Sequence, residues 1–409
     1  MTIIASPNTE WLGPLPTSWS VTTVRALVED INIRNFGGKN ENYLSLMANI
    51  GVILYADKGD VGNKKPEDLS KCKIVKIGDL VINSMNYGIG SYGISRYEGI
   101  CSPVYLVLRT KSDVGDQNFV RRIFEIPQFQ RLAQSFGNGI LEHRRAIGWD
   151  SIKNLPVPMP PLDTQQKIAA FLDRETAQID ELIGKQERLI ELLAEKRQAI
   201  ITHAVTKGLD PNAPTKPSGI PWLGDIPSIW ETKRLKHIVA MRSGESITAE
   251  DIESIGDYPV YGGNGLRGYT SAYTHEGEYA LIGRQGALCG NVNLARGQFW
   301  ASEHAIVPTP RIQISVHWLF HVLKWMNLGQ YSMTAAQPGI SADAIGGLPV
   351  PFPSFDEQQK IADYVERQTR TLDRLTVAAS SAIQLLRERR SALISAAVTG
   401  KIDVREGVA

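Results

Sequence analysis

At 409 residues the chain is too long for one ordinary hydrophobic core, and its length points to two or three domains. Charged residues at 21%, hydrophobic residues at 43% and a formal net charge of +1 describe a globular protein, with no global pull toward nucleic acid, membrane or acidic partners. No apolar run approaches bilayer length, and three cysteines without a C-x-x-C (Cys72, Cys101, Cys289) behind no signal-peptide pattern lead us to expect a reducing cytoplasm.

The first segment, 1–22, contains Trp11-Leu12-Gly13-Pro14-Leu15-Pro16-Thr17-Ser18-Trp19. Residues 23–161 read as a mixed α/β domain of short strands and glycine turns, with candidate strands at 79–83 and 104–109. Alternating prolines in Leu155-Pro156-Val157-Pro158-Met159-Pro160 hold the backbone extended and forbid helix up to that point. Asp163 then stands where an N-cap belongs, with Gln166 three residues on as in a capping box. With no proline for more than forty residues beyond it, enough for about 60 Å of helix at ~1.5 Å per residue, 162–208 is predicted as one helix. Its apolar residues Ile168, Leu172, Ile179, Leu182, Leu189, Leu193 and Ile200 suggest a heptad seam interrupted by Glu175, Gln186 and Lys196.

Residues 209–221 form a proline-rich linker, and Trp222-Leu223-Gly224-Asp225-Ile226-Pro227-Ser228-Ile229-Trp230 then repeats the opening motif. A second mixed α/β domain spans 222–354, with candidate strands at 279–282 and 305–307. It ends in Leu348-Pro349-Val350-Pro351-Phe352-Pro353, and 355–409 holds a second long helix and a tail. That helix carries Ile361, Val365, Leu372, Leu375, Ala382, Leu386 and Leu393 along its seam, interrupted by Gln368 and Arg389. Asp163-Thr164-Gln165-Gln166-Lys167-Ile168-Ala169 and Asp356-Glu357-Gln358-Gln359-Lys360-Ile361-Ala362 lie at a constant offset of 193 residues, which holds for about 53 positions, half of them identical. A repeat on this scale sets the architecture before any other feature. The fold class expected is α+β, two mixed α/β domains separated by two long helices that pack on each other.

The twin L-P-V-P-x-P…D-x-Q-Q-K-I-A helices, the twin W-L-G segments and the Ala204-Val205-Thr206-Lys207-Gly208-Leu209-Asp210-Pro211 exit resemble the specificity subunits of type I restriction-modification systems over essentially the whole chain. The resemblance implies two target-recognition domains, each reading half of a bipartite site in double-stranded DNA. It also implies an antiparallel coiled-coil spacer with pseudo-twofold symmetry that fixes the gap between the half-sites. Two modification (methyltransferase) subunits would dock on it and methylate adenine with S-adenosylmethionine. Restriction subunits would cleave DNA with ATP and Mg. No catalytic centre, cofactor or metal is expected on this chain, and no membrane association. Because the two domains differ, the target is expected to be asymmetric.

Base edges are read by arginine, asparagine and glutamine, whereas lysine and arginine on phosphate carry no sequence information. The candidates in the first domain are Asn83, Ser84, Asn86, Tyr87 and Arg96, on or after a glycine-rich loop, with Arg144 and Arg145 in a basic cluster. In the second they are Asn264, Arg267, Tyr269, Arg284 and Gln285. Lys64, Lys65, Lys71, Lys73 and Lys76 form a basic run whose default reading is a solvated face. Gly263-Asn264-Gly265-Leu266-Arg267-Gly268 matches a dinucleotide fingerprint, but the residues after it are β-prone, so a recognition loop is expected instead. His317 and His321 have zinc-like spacing without a third ligand nearby, and an amphipathic helix explains them. Neither an adenine-methyltransferase motif nor a phosphate-binding loop occurs. The competing readings are a coiled-coil scaffold that binds only proteins and, more weakly, an enzyme using the glycine-rich loop.

Overall fold

The computed structural model describes residues 8–60, 64–137, 145–332 and 338–404. The chain divides into two compact units, Met1–Gln186 with Ser381–Ala409, and Glu187–Ser380.

In the first unit, strands Val28–Asp30, Tyr105–Thr110, Leu80–Asn83 and Tyr92–Ile94 form an antiparallel sheet in that order. The two-residue period of a strand sends alternate side chains to opposite faces. Leu80, Ile82, Leu106 and Leu108 pack with Phe119, Ile123 and Phe124 of helix Gln117–Glu125 and with Phe129 of helix Pro127–Ser135. Val81 and Val107 face the other way, against Leu44, Leu46 and Val75.

The second unit has six strands in the order Val239–Ser243, Ala305–Pro310, His275–Gly283, Val292–Ala301, Tyr258–Gly262 and Gly265–Thr270. Ala280, Ile282 and Ile306 pack beneath Trp318, Leu319 and Val322 of helix Val316–Trp325, and Leu281, Ala295, Phe299 and Val307 line the opposite face. The four candidate strands of the sequence are all strands here.

Each proline-alternating segment is itself a strand. Pro156–Met159 pairs with Ser20–Thr23, and Pro349–Phe352 pairs with Glu231–Arg234, each in a two-stranded sheet where one edge needs no donor from proline. The linker is more ordered than its composition suggests, since Thr215–Pro217 pairs with Asp225–Pro227.

The long helices are Leu162–Lys207 and Phe355–Val398. In the first unit Ile168, Ala169 and Leu172 share a core with Ile394, Ala397 and Val398, and in the second Ile201, Ala204 and Val205 share one with Ile361, Ala362 and Val365. The start of one helix thus meets the end of the other in each unit, so the two pack antiparallel.

Two details differ from the sequence reading. Leu182, Leu189 and Leu375 are 45%, 39% and 47% exposed, so they are not seam residues. Buried and half-buried positions at Leu172, Thr176, Ile179, Ile183, Gln186, Ile190, Leu193, Arg197 and Ile200 run in a strict alternation of four- and three-residue steps. Val365, Thr369, Leu372, Thr376, Ala379, Ile383, Leu386, Arg390 and Leu393 repeat it. Leucine next to β-branched residues made two adjacent stripes look equivalent, and packing selected the one containing isoleucine.

The capping box is the second correction. Asp163 lies inside the first turn and pairs with Lys167 at 2.7 Å, while its neighbour Gln165 is fully buried. Gln165 Nε2 donates to the carbonyls of Pro160 (3.0 Å) and Val114 (3.2 Å), and its Oε1 accepts from the Asp116 amide at 2.9 Å. Gln358 does the same in the second unit, donating to the Pro353 carbonyl at 3.0 Å and accepting from the Ser315 amide at 2.9 Å. Asp116 and Ser315 are the N-caps of the domain helices, so one buried amide in each unit ties the mixed α/β domain to its long helix.

The position six residues past the helix cap differs between units. Arg122 is 2% exposed and donates to Glu125 and Asp173 (2.7 Å each) and to Thr176 (3.0 Å). Six residues past the helix cap in the second unit stands His321, 7% exposed, whose titration burial pushes down to about 4. Both helix exits turn through a left-handed glycine, Gly208 (φ 78°) and Gly400 (φ 69°). A Cβ on Gly208 would lie 3.2 Å from the Trp230 ring, and one on Gly400 would lie 2.5 Å from Pro16 and 3.3 Å from Trp19. The repeated W-L-G segments therefore seat the helix ends.

Candidate nucleic-acid interface

Three of the first-domain candidates have structural roles. Asn83 and Ser84 are buried at the end of their strand, Asn83 Oδ1 accepting from the Met85 amide and the Ser84 hydroxyl donating to the Val104 carbonyl at 2.8 Å. Tyr87 is 1% exposed and donates its hydroxyl to the Phe124 carbonyl at 2.8 Å, and burial raises its ionisation well above the ordinary range. These three cannot reach a base edge. Asn86 is half-buried and Arg96 exposed on the turns at either end of the Tyr92–Ile94 strand. Arg145 is partly buried, and Arg144 lies outside the described residues.

The basic run is not one solvated face either. Lys73 is 6% exposed, and burial lowers its titration, with Asp30 opposing that shift. A loop that the sequence reading passed over stands out instead. Buried Asn35 donates to the carbonyls of Asn40 (2.8 Å) and Leu69 (3.2 Å) and accepts from the Asn40 amide at 3.1 Å. This staple holds out Phe36, 79% exposed, beside Arg34 and Lys39. The signal for it was Asn35-Phe36-Gly37-Gly38-Lys39-Asn40, an aromatic residue on a Gly-Gly turn flanked by amides and a cation.

In the second domain the structure gathers three candidates. Gly263-Asn264 is the turn of a hairpin between Tyr258–Gly262 and Gly265–Thr270, so no helix opens at Gly268 and the nucleotide fingerprint has no support. This turn meets the Gly283–Gly286 loop backbone to backbone. A Cβ on Gly283 would fall 2.0 Å from the Gly263 carbonyl oxygen, which is why both positions are glycine. Between them is an open cavity of about 470 Å³ lined by Asn264, Arg267, Gln285, Leu288 and His304. Arg284 leaves this group to donate to the Ser243 hydroxyl at 3.1 Å, and Tyr269 sits on a strand, bridged through its backbone to Glu253. Asn291, Glu303 and His304 belong to the site and were missed, because only the sheet brings them beside residues 263–267.

His317 pairs with Glu278 at 3.2 Å, and no cluster able to hold a metal occurs among the described residues. Among them no helix is long and apolar enough to cross a membrane. Cys72, Cys101 and Cys289 are buried and free, and burial pushes the Cys101 thiol up to about 12.

Two unlike domains of glycine turns and amide-bearing loops, each keyed by a buried glutamine to one of two like helices, define a class of DNA specificity modules. The type I restriction modification DNA specificity domain family matches residues 32–192 and 227–383, and the chain belongs to that family. It is 45% identical over 139 residues to the type I restriction enzyme EcoprrI specificity subunit of Escherichia coli, a match that spans 33% of this chain and 35% of that relative. The MjaVIII specificity subunit of Methanocaldococcus jannaschii is 21% identical over 337 residues, 75% of each chain. In fold the chain is similar to a component of a type I restriction-modification system solved in a study of complex assembly and conformational transition, with a TM-score of 0.72 at 16% identity over 95% of this chain and 100% of that one. It is also similar to the HsdS subunit from Thermoanaerobacter tengcongensis, with a TM-score of 0.53 at 18% identity over 95% of this chain and 99% of that one.

Proposed function

We propose that this chain is the sequence-reading subunit of a type I restriction-modification complex, each domain reading one half of an asymmetric bipartite DNA target. The observation that carries this reading is the pairing of like and unlike. Gln165 and Gln358 dock the two domains through an equivalent pair of bonds, whereas the exposed polar loops differ from one domain to the other.

The long helices act as a ruler. Half-sites one DNA turn apart lie about 34–36 Å from centre to centre, and a helix of this length spans about 70 Å at ~1.5 Å per residue. Leu182, Leu189 and Leu192 leave an apolar stripe exposed on the central helix, which suits docking of two modification subunits. Those subunits would carry S-adenosylmethionine and methylate adenine, and restriction subunits would use ATP and Mg to cleave. This chain supplies recognition and no catalytic group.

The test is to express the chain with its modification subunit and sequence the methylome. One new asymmetric two-part motif is the expected result. An intact complex with no new motif, and with no sequence-selective retention of DNA, would instead favour a scaffold that binds only proteins.

A further inference from the structure

The cavity of the second domain offers more open hydrogen-bond donors than open acceptors. Arg267, exposed at its rim, has only donors and makes no ion pair among the described residues. Asn264 has both an acceptor and a donor end, but its Oδ1 is held by Asn291 Nδ2 at 2.9 Å. Gln285 Oε1 faces His304 Nδ1 at 3.1 Å, and the other ring nitrogen, Nε2, faces Glu303 Oε1 at 3.1 Å. With its ring proton on Nδ1, His304 donates to Gln285 Oε1 and occupies one lone pair of that oxygen. The free ends are then the amino groups of Asn264 and Gln285 and the guanidinium of Arg267.

This polarity decides which base edge fits. Asn or Gln reads adenine with both ends of its amide, the oxygen taking the N6 amino hydrogen and the nitrogen donating to N7. With each carbonyl oxygen already accepting one hydrogen bond, only its second lone pair stays open, and that pairing is weakened. Guanine presents two acceptors, O6 and N7, and arginine donates to both. Phosphate oxygens share the acceptor chemistry.

We propose that this cavity takes the O6/N7 edge of a guanine, with Arg267 as the bidentate donor and Asn264 and Gln285 as supporting donors. His304 and Asn291 are positioning residues that set the polarity by holding the two carbonyls. The assignment rests on the DNA-recognition reading above and extends it to one base of one half-site.

The experiment uses the full chain assembled with its modification subunit to select from a randomised duplex pool at fixed salt. The wild type should enrich a motif with a guanine in one half-site whose replacement by 7-deazaguanine weakens retention about tenfold. Gln285→Glu turns a donor into an acceptor, and His304→Ala and Asn291→Ala release the carbonyls. Each should shift that one letter away from guanine, His304→Ala toward adenine, and leave the other letters unchanged. Arg267→Ala, at an exposed position, tests the same letter without touching the packing. A motif with identical letters in all four variants overturns the proposal. Retention that falls equally for every sequence, with a salt slope smaller by about one per cation removed, assigns the cavity to phosphate and overturns it too. Enrichment of no sequence by the wild type overturns DNA recognition itself, and this proposal with it.

Discussion

Arg390 Nε and Asp180 Oδ1, 210 residues apart in sequence, meet at 2.9 Å, and moving each by the 193-residue repeat offset gives Arg197 and Asp373, the same pair with the helices exchanged. Only antiparallel helices can make both contacts. In each pair the arginine is a half-buried seam residue and the aspartate is exposed beside the partner's seam. Register is thus set by polar residues embedded in an apolar stripe.

Reversing one charge should cost little and restoring complementarity should recover it. Arg390→Asp is expected to destabilise the chain by about 0.5–1 kcal/mol, and Arg390→Asp with Asp180→Arg to regain most of that, since exposed pairs are weak. A double-mutant cycle from urea melts checks this. Absence of any coupling energy would remove the pair from the register argument.

Gln165→Leu and Gln358→Leu each leave a buried backbone carbonyl and a backbone amide without partners. A loss of about 2–4 kcal/mol is expected for each, well above the effect of a surface change. Limited proteolysis should show the cuts concentrated in 23–161 for Gln165→Leu and in 222–354 for Gln358→Leu. Equal sensitivity of both domains in either variant would contradict two separate ties.

The seam correction separates stability from partner binding. Ile183→Ser and Ile190→Ser should lower stability by about 1–3 kcal/mol each, whereas Leu182→Ser and Leu189→Ser should change it by less than about 0.5 kcal/mol. Under the proposed function the leucine variants instead weaken co-purification with the modification subunit. Thermal melts and pull-downs on the same four proteins measure both effects.

His321 makes acid stability predictable. Its titration falls from an ordinary 6.5 to about 4, chiefly through burial, helped by His317, Lys324 and Arg197 and opposed by Glu366. Above pH 6.5 the ring is neutral in both folded and unfolded chains, and its contribution is fully present. As pH falls toward about 4 only the unfolded chain takes up the proton, and stability on the order of 3 kcal/mol is lost. His321→Leu should flatten the stability profile across that window. An unchanged slope would mean another group carries it.

Lengthening the central helix tests the ruler. Inserting one heptad after Gly184, an exposed position with nothing within 4 Å of a built Cβ, preserves the seam period. The methylated motif should change or lose its gap while its half-site letters stay the same. Altered letters at constant spacing would reverse the assignment of helices to measuring and loops to reading.

How much was legible depended on whether a feature is periodic or local. The prolines before each helix, the two helices and four strands could be read because φ restriction and residue period act within a few neighbours. The stripe at Ile183 and Ile190 could not be told from the one at Leu182 and Leu189, because both are apolar at helical spacing and only the partner helix chooses. Tyr87 looked like a reading residue in a glycine loop, and nothing local shows that its ring fills the space beneath Phe124.

The candidate site divides along the same line. Asn264, Arg267 and Gln285 could be picked from sequence because donor and acceptor side chains on glycine turns are a local signal. Their common cavity and its polarity are tertiary facts. Asn291 reaches Asn264 across the sheet, and His304 reaches Gln285 from the turn after a different strand. By itself the sequence determined the duplicated layout, the family and the division into helices and reading domains, since these follow from repeat, period and backbone restriction. Only the tertiary structure decided which helix face is buried, which amide is a tie, and which end of each reading amide is free. Hydrogen bonds between distant segments make those choices, and they leave no trace in local composition.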